Sequence, residues 1–281
     1  MIVSFVVLHY ETLKDTKKCV DSIKKYQRGS DTVNIIIVDN GSEKGKLKNI
    51  EKEITGLNIY FIYSEFNLGF AKGNNLGFKY AKDELRSDII ILTNNDIVFD
   101  QEDFTEKLVR LKEITQFDVA GPRIISLVDG KNQNPVEYLY PDLKSVMIRK
   151  FKYIALKLLS VVDADVIIKQ HYSNPIQEKM DWESSDYQLH GACLIFANRY
   201  IQEFDGLYEG TFMYMEESIL KFITLRKKMK MCYLDELVVK HKEGSSTGQI
   251  YGKGKKKRQF YYTWNIDGCT QLVNLMKKYR G

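Results

Sequence analysis

The sequence predicts an α/β fold with a mainly parallel, doubly wound sheet. One observation is the stretch 88–99, where four large apolar residues from Ile89 are followed by the polar cluster Asn94-Asn95-Asp96 before apolar residues resume. A short apolar run bounded by polar residues is typical of a central strand buried on both faces. A second observation is that strand-like and helix-like segments alternate through residues 1–100, as they do where helices connect parallel strands.

The predicted strands of the first half end in polar residues. They lie at residues 2–8, 33–38, 59–63 and 88–93. Helices are expected from Thr12 or Asp15, from about Glu43 and from Leu76. Three strands end in the polar tips His9-Tyr10-Glu11, Asp39-Asn40 and Asn94-Asn95-Asp96. Right-handed crossovers place these tips on one edge of the sheet, where ligands bind in open α/β sheets.

Two carboxylates among these tips are candidates for binding. Asp96 can hold a divalent cation that bridges substrate phosphates, although Asn and Asp are also common in tight turns. Asp39 can accept hydrogen bonds from a ribose or a base edge, or it can cap the following helix. Gly69 and Gly73, with Lys72 between them, permit close approach of a diphosphate and supply a positive charge. The chain contains neither a P-loop nor a G-x-G-x-x-G fingerprint.

The second half predicts further elements around a long loop. A helix over 102–115 precedes a strand region at 119–123, and residues 129–150 predict a loop because they contain Gly and Pro with little periodicity. Residues 148–168 alternate basic and apolar side chains. This pattern is typical of an amphipathic helix that packs on its own domain, on a partner helix or on an anionic membrane. Another buried strand is expected at 189–196.

Three later side chains are candidates for chemistry. Glu216 and Glu217 begin a predicted helix, where acidic side chains favour the N-terminal dipole, and one of them can instead face the cleft as a general base. A strand over 237–241 ends in His241, which can ligate a metal, although a lone histidine at a strand end is more often incidental. Basic residues from Lys253 onward open a predicted C-terminal helix.

The composition limits the class of protein. Apolar residues make up 44% of the 281 residues, which is ample for a core, and 42 basic against 37 acidic residues give a net charge of +5. This mild excess is far from that of a dedicated nucleic-acid binder. The four cysteines form no C-x-x-C pair, which indicates reduced thiols in a cytosolic protein. No stretch reaches about 18 uncharged apolar residues, so any contact with a membrane is expected from its surface.

Taken together, these motifs resemble an inverting glycosyltransferase of family 2 with the GT-A fold, and most closely the rhamnosyltransferase-type members that build bacterial surface polysaccharides. The matching stretches are Val7-Leu8-His9-Tyr10, Ile37-Val38-Asp39-Asn40-Gly41-Ser42, Asn67-Leu68-Gly69-Phe70-Ala71-Lys72-Gly73-Asn74-Asn75, Leu92-Thr93-Asn94-Asn95-Asp96, Gly191-Ala192, Met213-Tyr214-Met215-Glu216-Glu217 and Val239-Lys240-His241. The resemblance implies a mainly parallel Rossmann-like sheet flanked by helices, with a helical region on the acceptor side towards the C terminus.

The resemblance also implies roles for individual residues. Asp96 is the last carboxylate of the metal motif, and His241 completes a site for Mn²⁺ or Mg²⁺. The implied nucleotide-binding residues are His9, Tyr10, Glu11, Asp39, Asn67, Gly69, Lys72, Asn75 and Asn95. The family usually has Glu-Asp, with the Asp as base, where this chain has Glu216-Glu217. Glu217 therefore takes the place of the base, and Glu216 is the alternative. Because Asn94 and Asn95 occupy the first positions of the metal motif, Asp96 is its only charged ligand.

The implied reaction moves a sugar from a UDP- or dTDP-linked donor to a hydroxyl of a glycan or lipid-diphosphate-linked acceptor, with inversion, in the synthesis of cell-surface polysaccharide. One domain is expected over residues 1–250, with a nucleotide-binding half at 1–122 and an acceptor-binding half at 123–250. A basic C-terminal helix over 251–281 packs on this domain or extends it. The expected location is cytoplasmic, peripheral at the inner face of an anionic membrane, with no nucleic-acid partner.

Two other functions fit parts of the pattern. A sugar nucleotidyltransferase has a related sheet, but it usually carries a Gly-rich loop after the first strand, where this chain has His9-Tyr10-Glu11-Thr12-Leu13. A non-catalytic binding module on the same fold would explain the two departures, at Asn94-Asn95-Asp96 and at Glu216-Glu217. Hydrolysis of a panel of nucleotide sugars in the presence of Mn²⁺ would separate the three functions.

Overall fold

The structure is a computed structural model that describes residues 1–26, 32–43, 51–56, 58–167, 186–243 and 254–279. The strands are β1 (Ile2–His9), β2 (Thr32–Asn40), β3 (Ile59–Ser64), β4 (Ile89–Asn94), β5 (Ile97–Val98), β6 (Val119–Ser126), β7 (Val136–Glu137), β8 (Tyr187–Gln188), β9 (Cys193–Ala197) and β10 (Met231–His241). The helices are α1 (Leu13–Tyr26), α2 (Phe70–Asp83), α3 (Phe104–Thr115), α4 (Leu143–Leu159), α5 (Asn198–Glu203), α6 (Glu216–Arg226) and α7 (Lys255–Lys278), and a 3₁₀ turn, Ser160–Val162, follows α4.

Eight strands form one sheet in the order β3-β2-β1-β4-β9-β6-β10-β5. The first four are parallel, β9 runs antiparallel to both of its neighbours, β10 is parallel to β6, and β5 is antiparallel to β10. The prediction of an α/β fold with a mainly parallel sheet is therefore confirmed. In the register, His9 lies opposite Asp39 and Leu8 lies opposite Asn94, so the three polar tips meet at one edge.

Helices cover both faces of the sheet because side chains alternate along each buried strand. On one face Phe99 contacts Phe5 and Phe104 edge to face, with ring centroids 5.1 and 5.2 Å apart. On the other face Phe78 of α2 contacts Phe196 of β9 at 5.5 Å. These aromatic rings are fully buried. The sheet edge that carries the polar tips is therefore held by a rigid core.

A separate apolar cluster joins the helices on the C-terminal side. Val146 of α4, Ile219 and Phe222 of α6, and Leu272 and Met276 of α7 are buried in it. The long helix α7 packs along α4. In the described part of the chain, no helix is long and apolar enough to cross a membrane.

Several predicted elements have different bounds in the structure, among them the strand expected over 237–241, which begins at Met231. The strand expected at 189–196 begins only at Cys193, because residues 190–192 form a turn. The loop expected over 129–150 contains β7 and the start of α4. Asp142 caps this helix by accepting a hydrogen bond from the Ser145 N–H at 2.7 Å, and the Ser145 hydroxyl accepts one from the Asp142 N–H. This pair of bonds is a capping box, which starts the helix.

Several other predictions fall partly outside the described residues. These are most of the helix expected from Glu43, the end of the helix expected over 148–168, and the start of the C-terminal helix at Lys253. The described part of that last helix begins at Lys255.

Candidate active site

Asp96 and His241 meet at the polar edge of the sheet. Asp96 follows β4, and the chain then turns back into β5, whose Ile97 pairs with His241 in the ladder. The backbone N–H of Lys242 donates to the Asp96 carbonyl at 3.1 Å and fixes this turn. As a result the His241 Nε2 atom lies 3.3 Å from the Asp96 Oδ1 atom, and both side chains are buried.

Gln133 sets the orientation of the His241 ring. Its Oε1 atom lies 2.7 Å from Nδ1 of His241 and accepts the N–H of that nitrogen. The Nε2 atom therefore faces the Asp96 carboxylate. A polar group that holds the far nitrogen is usual for histidine ligands of metals. Within the described ranges no cluster of three or more His, Cys, Asp or Glu residues could hold a metal ion. Among the described residues, Asp96 and His241 are therefore two side chains that could hold a cation.

His190 is a further residue of this site, and sequence reasoning missed it. Its ring lies 5.9 Å from that of His241, and its Nδ1 accepts the Ala192 N–H at 3.1 Å, which leaves Nε2 as a hydrogen-bond donor. Burial and the neighbouring His241 lower the pKa of His190 to about 4, against the opposing effect of Asp96. The ring is therefore neutral at physiological pH. The only signal in the sequence was its position just before Gly191-Ala192.

Glu217 lies at the same turn as His190. The Gly191 backbone lies against the Glu217 carboxylate: a Cβ on Gly191 would lie 2.5 Å from the Glu217 Oε1 atom, and the Gly191 backbone acts to lower the pKa of Glu217. Only glycine leaves room for this contact. The consequence is that one short turn, 190–192, touches both the Asp96–His241 pair and Glu217.

Glu216 and Glu217 differ in their surroundings. Glu216 is buried, and its Oε1 atom has no hydrogen-bond partner among the described residues. Burial, followed by the charge of Glu217, raises the pKa of Glu216 from 4.5 to about 8. Burial also raises the pKa of Glu217, but backbone N–H groups, including that of Gly191, oppose the rise. Glu217 is only half-buried. As a whole residue, Glu217 is therefore less buried than Glu216.

The backbone before these glutamates is strained. Tyr214 and Met215 have positive φ angles of 70° and 73°, a conformation that costs non-glycine residues free energy. Met215 is buried in the C-terminal apolar cluster, which holds the strained turn in place. Tertiary packing therefore determines where Glu216 and Glu217 point.

Asp39 lies at the same edge of the sheet, at the end of β2. Its Oδ1 atom accepts the Ser42 N–H at 3.0 Å, as a turn-forming aspartate does. Glu11 connects the first two strand tips, because its N–H donates to the Ser42 hydroxyl at 3.0 Å and its carboxylate accepts the Glu43 N–H at 2.9 Å. Tyr10, in the same loop, is half-buried. The tips of β1 and β2 therefore form one connected loop pair.

His9 is fully buried beneath Asp39 and Glu11. Its Nδ1 atom lies 2.7 Å from the Thr16 hydroxyl, and its Nε2 atom has no hydrogen-bond partner among the described residues. Burial lowers the pKa of His9, although the charges of Asp39 and Glu11 act in the opposite direction.

Asn67 and Gly69 shape the loop that enters α2. Asn67 accepts the Gly69 N–H at 2.9 Å, and Asn40 donates to both Asn67 and Gly69. Gly69 has a φ of 84°, and a Cβ there would lie 2.1 Å from the Phe212 carbonyl oxygen. The close approach of the Phe212 carbonyl therefore requires a glycine at position 69. Lys72 is exposed in the first turn of α2.

Three residues hold neighbouring elements of the protein together, namely Gly73, Asn75 and Asn95. A Cβ on Gly73 would lie 2.9 Å from Leu8, so this glycine brings α2 close to the sheet. The Asn75 amide donates to the Leu207 carbonyl at 2.8 Å and accepts the Leu207 N–H at 2.7 Å. The Asn95 amide donates to the hydroxyls of Thr12 and Thr16. Both asparagine side chains are buried, so they position neighbouring loops.

The fold agrees with the comparison with known families. The family described as Glycosyl transferase family 2 matches residues 4–160. Because this match covers more than half of the chain, the protein belongs to that family.

Relatives and solved structures extend the comparison. The chain is 25% identical over 214 residues to the low-salt glycan biosynthesis hexosyltransferase Agl10 of Haloferax volcanii, and the match covers 76% of this chain and 58% of that protein. The S. aureus TarS 1-349 structure in complex with UDP has a TM-score of 0.56 at 13% identity and covers 86% of this chain and 60% of its own. The GalNAc-T7 structure with UDP, GalNAc and Mn²⁺ has a TM-score of 0.59 at 13% identity, with 94% and 47% covered. At such identities the structures show a shared fold. The chain spans less than two thirds of each of these proteins.

Proposed function

We propose that this protein is an inverting glycosyltransferase that moves a sugar from a nucleoside-diphosphate sugar to a hydroxyl of a glycan or of a lipid-diphosphate-linked acceptor. The observation that carries the proposal is the 190–192 turn. His190 lies beside the Asp96–His241 pair, and Gly191 packs closely against the Glu217 carboxylate. A cation-holding pair and a carboxylate thus flank one place where a donor and an acceptor can meet.

Glu217 is the proposed base. The acceptor oxygen forms a bond to the anomeric carbon while the bond from that carbon to the diphosphate oxygen breaks, and the electron pair leaves with the nucleoside diphosphate. The proton of the acceptor hydroxyl passes to the Glu217 carboxylate. Burial raises the pKa of both neighbouring acids, and the charge of Glu217 raises that of Glu216 further, so we assign the proton that the pair holds to Glu216. Glu217 then keeps the negative charge that a base needs.

Asp96 and His241 are the proposed ligands of Mn²⁺ or Mg²⁺, which when bound offsets the charge that develops on the departing diphosphate. Carboxylate and imidazole donors suit such an ion, and diphosphate oxygens and water would complete its coordination. His190 presents an Nε2–H beside this pair and can donate to the same diphosphate. Lys72, exposed at the start of α2, adds a positive charge.

Recognition of the nucleotide is assigned to the loops after β1 and β2. One Asp39 oxygen is used by Ser42, and the other can accept from a ribose or base edge. Tyr10 and Glu11 belong to the same loop pair, and Asn67 and Gly69 form its neighbour. Asn75 and Asn95 act as positioning residues in this proposal, because their amides are bonded within the protein.

The relatives support a nucleotide-sugar donor and a cation. Agl10 is named a hexosyltransferase of glycan biosynthesis, one TarS structure contains UDP-GlcNAc, and the GalNAc-T7 structure contains UDP and Mn²⁺. We extend these features to this chain and place its reaction in the synthesis of cell-surface polysaccharide. The four free cysteines, three of them buried, support a cytosolic location.

Release of nucleoside diphosphate from UDP-, dTDP- and GDP-linked sugars tests the proposal. We expect release with one nucleotide class, only with Mn²⁺ or Mg²⁺, and strong loss in Glu217→Gln. Binding of a nucleotide sugar without any release would indicate a non-catalytic module. Failure to bind any of these nucleotides would contradict the proposal.

A further inference from the structure

One face of α4 presents large apolar side chains to solvent. Seven of the fifteen large apolar side chains exposed in the described part of the chain lie between residues 148 and 167. We define the apolar patch as Ile148, Phe151, Leu158, Val161, Val162 and Ile167, each at least 59% exposed. Ile148, Phe151, the exposed Ala155 and Leu158 follow the spacing i, i+3, i+7, i+10, which places them on one side of the helix.

The opposite side of α4 faces the protein. Val146 and Leu156 are buried there, and the Arg149 guanidinium lies 5.5 Å from the centre of the Tyr140 ring. Lys150 and Lys157 are half-buried on the same side. The sequence pattern is compatible with packing of this helix on its own domain, on a partner helix or on a membrane. In the structure the apolar side chains are the ones that project outwards.

Exposed lysines surround the apolar patch. Lys144 and Lys152 lie along α4, and Lys255 and Lys256 lie at the start of α7. Lys255 donates a hydrogen bond to the Val161 carbonyl, which places its charge at the end of the patch.

The acidic side chains next to the patch are paired. Arg258 binds both Asp163 and Asp165, and Tyr262 donates to Asp165 at 2.8 Å. Arg258 offsets one of the two aspartate charges, and the four exposed lysines outweigh the other, so the surroundings of the patch are positively charged.

We propose that the apolar patch docks on an anionic lipid bilayer. An apolar helix face with a cationic rim fits such a surface, since the side chains enter the acyl boundary while the lysines contact anionic headgroups. A two-fold contact with a second copy would place the two cationic rims against each other. The inference concerns the position of the protein and does not depend on its transferase activity.

The patch is connected to the candidate base. Tyr153 of α4 contacts Tyr261 of α7, with ring centroids 5.9 Å apart, and Tyr261 lies close enough to Glu217 for that carboxylate to raise the pKa of the tyrosine further, beyond the larger effect of burial. Docking through α4 therefore holds the Glu217 side of the protein near the bilayer, and this last step rests on the proposed function, in which a lipid-diphosphate acceptor resides there.

Co-sedimentation with vesicles made of equal parts phosphatidylcholine and phosphatidylglycerol tests the proposal at low and high salt. The test variant is Phe151→Ser with Leu158→Ser, and the matched control is Ile114→Ser with Val128→Ser, which removes exposed apolar side chains elsewhere. We expect the wild-type protein and the control to bind, and the test variant to bind about tenfold or more weakly, in line with the usual worth of buried apolar side chains. Pure phosphatidylcholine should bind less well than the anionic mixture.

Equal binding by both variants, or no binding of the wild-type protein at low salt, would overturn the proposal. Light scattering without lipid tests the alternative that a second copy of the chain covers the patch. A wild-type dimer that becomes a monomer in the test variant would assign the patch to a second copy of the chain. Thermal unfolding of all variants confirms that they are folded, because the altered side chains are exposed.

Discussion

The Nε2 atom of His241 lies 3.3 Å from the Oδ1 atom of Asp96. Gln133 accepts the hydrogen of the other ring nitrogen, so Nε2 is turned towards the Asp96 carboxylate. One imidazole nitrogen and one carboxylate oxygen at this spacing are donors that can hold a cation together. The first two predictions follow from it.

Asp96→Ala should abolish the cation-dependent part of nucleotide-sugar binding while the protein stays folded. Turnover should fall by about 10²- to 10³-fold, the usual effect of removing one electrostatic contact to a transition state. Titration calorimetry with UDP, dTDP and GDP, with Mn²⁺ or with a chelator, measures the binding. Asp129→Ala, which removes an exposed carboxylate, is the control. Near-normal transfer by Asp96→Ala would show that the metal assignment is wrong.

Gln133→Ala should weaken cation binding by about 10- to 100-fold without removing a ligand, because outer partners orient metal-bound histidines. Mn²⁺ titration in the presence of the nucleotide measures this affinity. Gln133→Glu, which restores an acceptor for Nδ1, should recover most of it. Unchanged Mn²⁺ affinity in Gln133→Ala would mean that the ring orientation has no part in cation binding.

Glu217→Gln should lower turnover by about 10²-fold or more, since it keeps the shape of the side chain and removes its basicity. The affinity for the nucleotide sugar should barely change. Single-turnover transfer and donor titration separate the two effects. Glu216→Gln is the matched variant on the next position of the same helix. If Glu216→Gln loses turnover and Glu217→Gln does not, the two roles are reversed.

Stability should fall as pH rises through neutrality because of Glu216. The pKa of its carboxyl is raised from 4.5 to about 8 in the folded protein. Between these values the unfolded chain has released a proton that the folded protein keeps, so the free energy of unfolding decreases as pH rises. Thermal unfolding at about pH 5 and pH 8 should show a smaller decrease for Glu216→Gln than for the wild type. Glu102→Gln, an exposed position, should follow the wild type, and an identical pH dependence in all three proteins would refute this account.

Asn75→Ala should destabilise the protein by about 2–3 kcal/mol, because the buried N–H and carbonyl of Leu207 lose their partners. Urea unfolding measures the loss, and Asn274→Ala, at an exposed position of α7, is the control. The affinity of the folded variant for nucleotide should stay close to that of the wild type. A large loss of affinity with unchanged stability would instead make Asn75 a ligand-binding residue.

Some residues of the candidate site were predictable and others were not. Asp96 and His241 could be found because each ends an apolar run, which is a local pattern. Gln133 and His190 could not, since both lie in short connections without periodicity, and they reach the site only when β6, β9 and β10 are side by side. Asn75 and Asn95 matched the family pattern, but their amides contact Leu207 and Thr12, far away in the chain.

The sequence by itself determined the α/β class, the strands of the first half and their three polar tips, because apolar runs and the residues that end them depend on near neighbours in the chain. Only the tertiary structure decided that β9 runs antiparallel, that Gly191 brings Glu217 towards the Asp96–His241 pair, and that the apolar side of α4 faces solvent. Each of these depends on contacts between distant segments, whose geometry is set by the packing of the whole core.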